Sequence, residues 1–576
     1  MKLNCKGFVL LETMIVAVFV VGIFTFLYSS IVPLLGTYED SIVKSNVDVV
    51  YKLYHLKDYL HTSNNFNKAV TNNYGSITCD SFSDKTYCNN LIDFLELDNG
   101  YELVYVKNIA SDKQNIVNLA KSEHLKKYIN NFNDDYKSVL FLYDNNTEAV
   151  THLYLNRLMC DDNKLSCNII NTLPLTKKDS DGTQYVYGET VNNNYVWYSG
   201  KMWRIVALNN DGTVKLVTEN EITALSRFSD YTSNDYKDSQ IRSWLINVFY
   251  PTLYNIDDIV VDYKWDYTLD STADRTKPET VDFVMEKIGL LSLYDYVMTG
   301  GIPYSEHGDS FLHNGSWWWL ITSKSSNSAW NVFHYANGCE YTVSMGIGHR
   351  YKPGVRPAIN LVTDIKIAGG NGTEAEPYTL VGDIQDTEIN DELNSRVSGE
   401  YIEFQGKICR IIETVEISGE KLTKVVMTNS VSSRPFGGSK LYTPTAGIGL
   451  YLHNWYTDLS DTNKNMIAED GVKWYLGTLT NYSDYTLSKT GETVETPIGL
   501  RYYGELFSGN LLSTNSGFAW LITSNNYGVF AIDYDGAANT SAPGRSGSVF
   551  PVFYLKSNVK ITGGTGLPND PYTISQ

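Results

Sequence analysis

The spacing of apolar positions changes several times along the chain. From Phe8 to Leu27 almost every residue is apolar, and Glu12 is the one charge. Twenty helical residues rise about 30 Å, enough to cross the hydrocarbon core of a bilayer. Val43, Val47, Val50, Leu53, Leu56 and Leu60 then recur at three- and four-residue steps, which predicts one face of an amphipathic helix. Pro33 and Gly36 near the join predict a kink. Alternating patterns predict strands over 101–109, 138–143 and 149–158, the last two joined by the polar turn Asp144-Asn145-Asn146-Thr147, with a helix over 111–131. A long helix packed on a small antiparallel sheet makes an α+β headpiece.

Downstream the pattern repeats. Tyr195-Val-Trp-Tyr-Ser-Gly-Lys-Met-Trp-Arg-Ile-Val206 matches Tyr401-Ile-Glu-Phe-Gln-Gly-Lys-Ile-Cys-Arg-Ile-Ile412. Ile-Gly-Leu occurs at 288–290 and 498–500, and Trp-Leu-Ile-Thr-Ser at 319–323 and 520–524. Each copy closes with Gly-Gly-x-Gly (369–372, 563–566) and Pro-Tyr-Thr (377–379, 571–573). The offset drifts between 194 and 210 residues, so loops vary while the frame holds. Each copy predicts a hairpin (195–206, turn 209–212, then 213–218), a helix near Ser239–Tyr250 and late strands around 316–336 and 355–367. The division is therefore a leader (1–7), an apolar membrane and assembly helix (8–36), a headpiece (37–178) and two homologous α+β modules (179–382 and 383–576).

Length and charge narrow the picture. The 576 residues exceed what one core sustains. The 46 Lys+Arg against 65 Asp+Glu give a net charge of −19, which argues against a nucleic-acid footprint. Lys2 and Lys6 before the apolar run, with Glu39 and Asp40 after it, put the N-terminus in the cytoplasm and the rest outside. Of seven cysteines, Cys79/Cys88 and Cys160/Cys167 are close pairs on the outer side, where disulfides form. Cys339 and Cys409 fall in different modules and are expected to stay unpaired.

Glu12 has no place in a plain anchor, because a carboxylate inside a spanning helix costs about 2.5–3.5 kcal/mol on insertion scales. Lys6-Gly7-Phe8-Val9-Leu10-Leu11-Glu12 resembles the type IV prepilin cleavage site. The resemblance implies that a prepilin peptidase cuts after Gly7 and methylates the new N-terminal Phe8, and that Glu12 is the acidic fifth residue. The freed α-amino group, with a pKa of about 8, is largely positive at neutral pH. In a filament that cation on a neighbouring pilin subunit is the natural partner for Glu12, since a buried carboxylate without one is expensive.

The modules resemble uncharacterised extracellular repeat modules of envelope proteins from Gram-positive-type bacteria, through Trp203-Arg204-Ile205, Leu290–Tyr296, Trp319 and Val355-Arg356-Pro357-Ala358-Ile359-Asn360-Leu361. The order of a tryptophan-bearing strand and a closing Val-Arg-Pro strand looks like a C-type-lectin-like or formylglycine-generating-enzyme-like fold. In the second module Phe550 stands for Arg356 and Cys409 for Trp203, which puts any shared role of those residues in doubt.

No Gly-x-Ser-x-Gly, HExxH or Walker loop occurs, and no Cys/His cluster has zinc spacing. His307 and His313 flank Asp309, a spacing better suited to a polar surface loop than to a metal site. In Trp317-Trp318-Trp319, strand alternation sets Trp318 opposite its neighbours. Trp317 and Trp318 are the candidate ligand face for a sugar or peptide, against a reading as rim packing. The sum is a minor type IV pilin or pilin-like adhesion protein without catalysis, cofactor or metal. It resides in the inner membrane before assembly and displays its modules to an extracellular carbohydrate or protein ligand. The alternatives are a membrane-anchored envelope enzyme, favoured by a pocket of converging carboxylates, and a competence or secretion pseudopilin, favoured by a basic patch.

Overall fold

The computed structural model describes residues 163–226, 235–272, 277–303, 309–326, 328–334, 340–346, 352–384, 388–480, 485–508 and 517–576. Upstream it describes 101–106, 109, 117, 123–130, 132, 136–144 and 150–157. The chain divides into two compact units, Met1–Asp161 and Asp162–Gln576. The leader, the apolar segment with its predicted long helix, and residues Gly7, Phe8, Glu12, Cys79, Cys88, Cys160 and Cys339 lie outside the described residues.

In the first unit, strands Tyr101–Val106, Tyr136–Asp144 and Val150–Arg157 form one antiparallel sheet in chain order. Helix Glu123–Asn130 lies within the predicted helical stretch. Val106, Ile129 and Val139 are buried.

The α+β class with a long N-terminal helix is corrected by what the described residues form. Sheets dominate, and the longest described helix is the eleven-residue Gly447–Thr457. The predicted helix at Ser239–Tyr250 shows why. It is one α-turn, Gln240–Trp244, followed by a wider turn, Leu245–Phe249, and a tight turn, Tyr250–Thr252, with Pro251 near its start. The β-branched and aromatic runs around it pair as strands instead.

In the second unit the sequence repeat is a repeat of structure. The main sheet of the first module runs Ile288–Gly289, Ala358–Leu361, Val214–Thr218, Lys201–Leu208, Tyr195–Tyr198, Tyr378–Leu380, Ile367–Gly369. That of the second runs Ile498–Gly499, Val552–Leu555, Glu420–Met427, Lys407–Ile417, Tyr401–Phe404, Tyr572–Ser575, Lys560–Gly563, position for position. Each module has a further sheet in which the strand of the Trp-Leu-Ile-Thr-Ser motif, Trp318–Ser325 or Phe518–Asn525, lies parallel to a short strand, Gly354–Val355 or Ser546–Val549. Each also has a two-stranded ribbon, Tyr263–Asp266 with Phe283–Glu286 and Lys473–Tyr475 with Thr493–Glu495. Helix Leu165–Thr172 belongs to the first module. Leu165 N–H donates to Ile365 O at 3.1 Å, Tyr378 O–H donates to Asn168 Oδ1 at 2.7 Å, and Leu165 and Ile169 are buried. The second compact unit accordingly starts at Asp162.

The repeated motifs are packing devices. Trp265 and Trp474, one on each ribbon, are buried over Gly289 and Gly499 of Ile-Gly-Leu, where an added Cβ would meet the indole at 2.2 and 2.4 Å. The threonine of Trp-Leu-Ile-Thr-Ser accepts a loop N–H in each copy, Leu293 to Thr322 Oγ1 at 2.9 Å and Tyr503 to Thr523 Oγ1 at 3.0 Å.

The two modules are joined by backbone and side chain. Gly200 and Gly399 meet so closely that a Cβ on Gly200 would lie 2.5 Å from Ser398 O. Buried Lys201 donates to Ser199 O, Thr252 O and Ser398 O at 2.8, 3.2 and 2.9 Å. Trp244 Nε1 donates to Gly504 O at 2.6 Å, and Lys352 and Ala538 exchange backbone hydrogen bonds of 2.8 Å.

Candidate functional site

The hairpin that opens each module turns on two residues of positive φ, Ser199-Gly200 and Gln405-Gly406, the geometry of a two-residue turn matched to strand twist. Its register sets Tyr195 opposite Arg204 and Trp197 opposite Met202. In the second module Tyr401 stands opposite Arg410. Strand alternation then puts Tyr195, Trp197 and Met202 on one face and Val196, Tyr198 and Trp203 in the core. The cleft-side faces of the two hairpins bound a cleft of about 630 Å³ between the modules, a size that suits a small ligand or part of a polymer. Its remaining wall comes from the two closing loops, Thr373–Ala375 with Pro377 and Leu567–Asn569, joined by Asn569 Nδ2 donating to Ala375 O at 3.1 Å. Asn192, Glu219 and Asn220 add polar groups.

Tyr195 and Tyr401 are partly exposed at the cleft, and Trp197 backs Tyr401 with ring centroids 6.5 Å apart. The Arg204 guanidinium lies 4.0 Å from the centre of the Tyr195 ring, and that of Arg410 lies 5.0 Å from Tyr401. Burial pulls Arg410 below its usual range, opposed only by Tyr401.

A second cleft, of about 200 Å³, lies in the first module and reaches Lys215, Lys277, Asp181 and Asp295. Lys215 Nζ donates to Asp295 Oδ1 at 2.7 Å, both side chains buried. Burial works against the Asp295 charge, yet Lys215 holds the carboxyl below its usual range. Lys277 does the same for the more exposed Asp181 through a direct hydrogen bond. The second module repeats the buried pair as Lys424 and Glu505, with Lys424 among the rings of Trp474, Tyr502 and Tyr554.

The family described as a domain of unknown function (DUF6273) matches residues 211–363. That stretch holds the first module's Lys215–Asp295 pair and Arg356, and the family's description carries no activity. No curated protein and no solved structure matches the chain.

The sites named from sequence fall differently. Trp317 and Trp318 do not form an exposed face, being 5% and 0% exposed. Trp317 Nε1 donates to Asn331 Oδ1 at 2.7 Å, and Arg356 lies 4.6 Å above the Trp318 ring. Strand Trp318–Ser325 is covered on both sides and Trp317 just before it is buried as well, so alternation exposes neither. Cys167 is disulfide-bonded, and Cys409 is buried and free, its thiol pushed up by burial. His313 Nε2 hydrogen-bonds Tyr296 O–H at 2.6 Å. Among the described residues no group of His, Cys, Asp and Glu could hold a metal ion, and no helix is long and apolar enough to cross a membrane. Sequence reasoning missed the Tyr401–Arg410 pair as a site, although the repeated Tyr-to-Arg spacing marks it. It also missed both buried lysine–carboxylate pairs, whose partners stand about eighty residues apart in each module.

Proposed function

We propose that the chain is a pilin-like surface protein whose paired modules recognise an extracellular ligand in the cleft between them. The observation that carries recognition is that cleft, walled by equivalent aromatic and arginine side chains of the two repeats. The display half rests on the spacing of Gly7, Phe8 and Glu12. In it a prepilin peptidase removes residues 1–7, and Glu12 pairs with the α-amino group of a neighbouring pilin subunit after passage through the inner membrane. The envelope-enzyme reading would draw on the second cleft. There lysines hold Asp181 and Asp295 ionised, an arrangement that supports binding rather than general acid chemistry.

Mass analysis of the mature N-terminus tests the display half. A methylated Phe8 start is expected, and an intact Met1 start in pilus-competent cells refutes it. Glu12→Ala is expected to block filament incorporation while leader removal continues. Tyr401→Ala is expected to lower adherence of the cells with incorporation unchanged, and undiminished adherence refutes the recognition half.

A further inference from the structure

The two hairpins carry equivalent arginines with unequal surroundings. Arg204 is fully engaged, its Nε donating to Asn194 Oδ1 at 2.7 Å, Nη2 to Val191 O at 2.6 Å and Nη1 to Glu219 Oε2 at 3.2 Å. Arg410 keeps the ring contacts, 5.0 Å from Tyr401 and 3.8 Å from Phe507, but among the described residues only its Nε makes a hydrogen bond, to Gly399 O at 3.0 Å. No carboxylate of the described residues forms an ion pair with it. The first repeat thus supplies its own anion, and the second leaves a guanidinium fork at the cleft wall without one. Held between two rings with its Nη edge open to the cleft, the half-buried guanidinium is placed to take an anion, and it matches a carboxylate in shape as well as charge.

We infer that the cleft takes an acidic polysaccharide, with a sugar carboxylate on Arg410 and the sugar faces against Tyr401 and Tyr195. The inference rests on the recognition reading above. The slightly positive C–H face of a sugar ring complements the negative face of an aromatic ring, and Asn192 and Thr373 offer hydrogen bonds to hydroxyls along the cleft. The cleft's own carboxylates do not exclude such a ligand, since Glu219 is neutralised by Arg204 and Glu374 is exposed. An extended peptide would bind by adding a strand to a free sheet edge. Here Tyr195–Tyr198 and Tyr401–Phe404 each already have a strand on both sides.

The test is binding of the full chain, purified in detergent, to galacturonate, glucuronate and neuraminate oligosaccharides, their methyl esters, neutral oligosaccharides and poly-glutamate. At least one acidic oligosaccharide is expected to bind tenfold or more tightly than its ester. Arg410→Gln is expected to weaken that binding at least tenfold, and Arg410→Lys, which keeps the charge without the fork, by less. Unchanged melting temperatures establish that both variants fold. Equal binding of acid and ester, indifference to Arg410→Gln, or binding of poly-glutamate alone overturns the inference. If a neutral oligosaccharide binds, is lost in Tyr401→Ala and survives Arg410→Gln, the recognition reading stands and the acidic ligand falls. If none of these probes binds, both fall.

Discussion

Replacing Lys215 by methionine isolates the buried charge pair. Lys215 and Asp295 are both 5% exposed and joined at 2.7 Å. The other carboxylate oxygen accepts Ser292 N–H at 2.9 Å, which fixes the start of helix Leu293–Met298. Removing the ammonium leaves a carboxylate enclosed with one hydrogen bond from the helix cap. Breaking one half of a buried pair costs about 3–5 kcal/mol. For a module of this size that is a fall of roughly 6–20 °C in Tm. The pH dependence must also change sign. In the native protein the Asp295 pKa lies below its unfolded value of 3.8, so its contribution is full above that pH and fades as pH falls through the folded value. In Lys215→Met burial, the largest influence on Asp295, is opposed by the Ser292 hydrogen bonds but no longer by the ammonium, so the pKa is expected to rise and stability to decline as pH climbs above 3.8. Lys215→Met/Asp295→Asn keeps the cap without the charge and is expected to recover at least half of the loss. Calorimetric melting of the full chain between pH 4 and 8, with hydrogen exchange on Val214–Thr218 to assign the transition, reads all three outcomes. A loss under about 1 kcal/mol, or no reversal of slope, would show that water reaches the pair and that the burial argument is wrong.

Gly289→Ala and Gly499→Ala drive a methyl into the indoles of Trp265 and Trp474. Each is expected to cost about 1–3 kcal/mol by overpacking, seen as a lower denaturant midpoint and altered tryptophan fluorescence. Glu221 is buried, its Oε2 has no hydrogen-bond partner, and burial pushes its pKa up to about 7 against the pull of Arg356. Its folded pKa being raised, stability is fullest below 4.5 and drops as pH rises towards 7. Glu221→Gln should raise Tm at pH 7.5 and flatten that part of the profile, and an unaltered profile counts against the assignment.

The repeat was legible because its motifs are set by packing. Ile-Gly-Leu recurs where a tryptophan needs the space of a missing Cβ, and Trp-Leu-Ile-Thr-Ser recurs where a hydroxyl accepts a loop N–H. The balance of helix and strand was not legible, because the stretch from residue 239 carries helical spacing yet bends through three kinds of turn, the last of them holding Pro251. Trp317 and Trp318 misled because alternation says which residues share a face and nothing about what covers that face. Phe550 in place of Arg356 suggested a lost role. In space a buried arginine from elsewhere in the module lies beside it. Arg501 lies 5.7 Å from the Phe550 ring and donates through Nη1 to Phe507 O, as Arg356 lies over Trp318 and donates to Leu312 O. The cleft was hidden because its two halves lie about two hundred residues apart in sequence.

In each module's main sheet the strand that opens the hairpin and the strand that carries the closing Tyr-Thr are neighbours and run parallel, Tyr195–Tyr198 beside Tyr378–Leu380 and Tyr401–Phe404 beside Tyr572–Ser575. Tension along the chain between those strands pulls them past each other, so the bonds between them are loaded together and cannot be unzipped one by one. An adhesive domain tethered at one end and tugged by flow would draw its grip from this seam, and from the order in which its terminal strands were laid down.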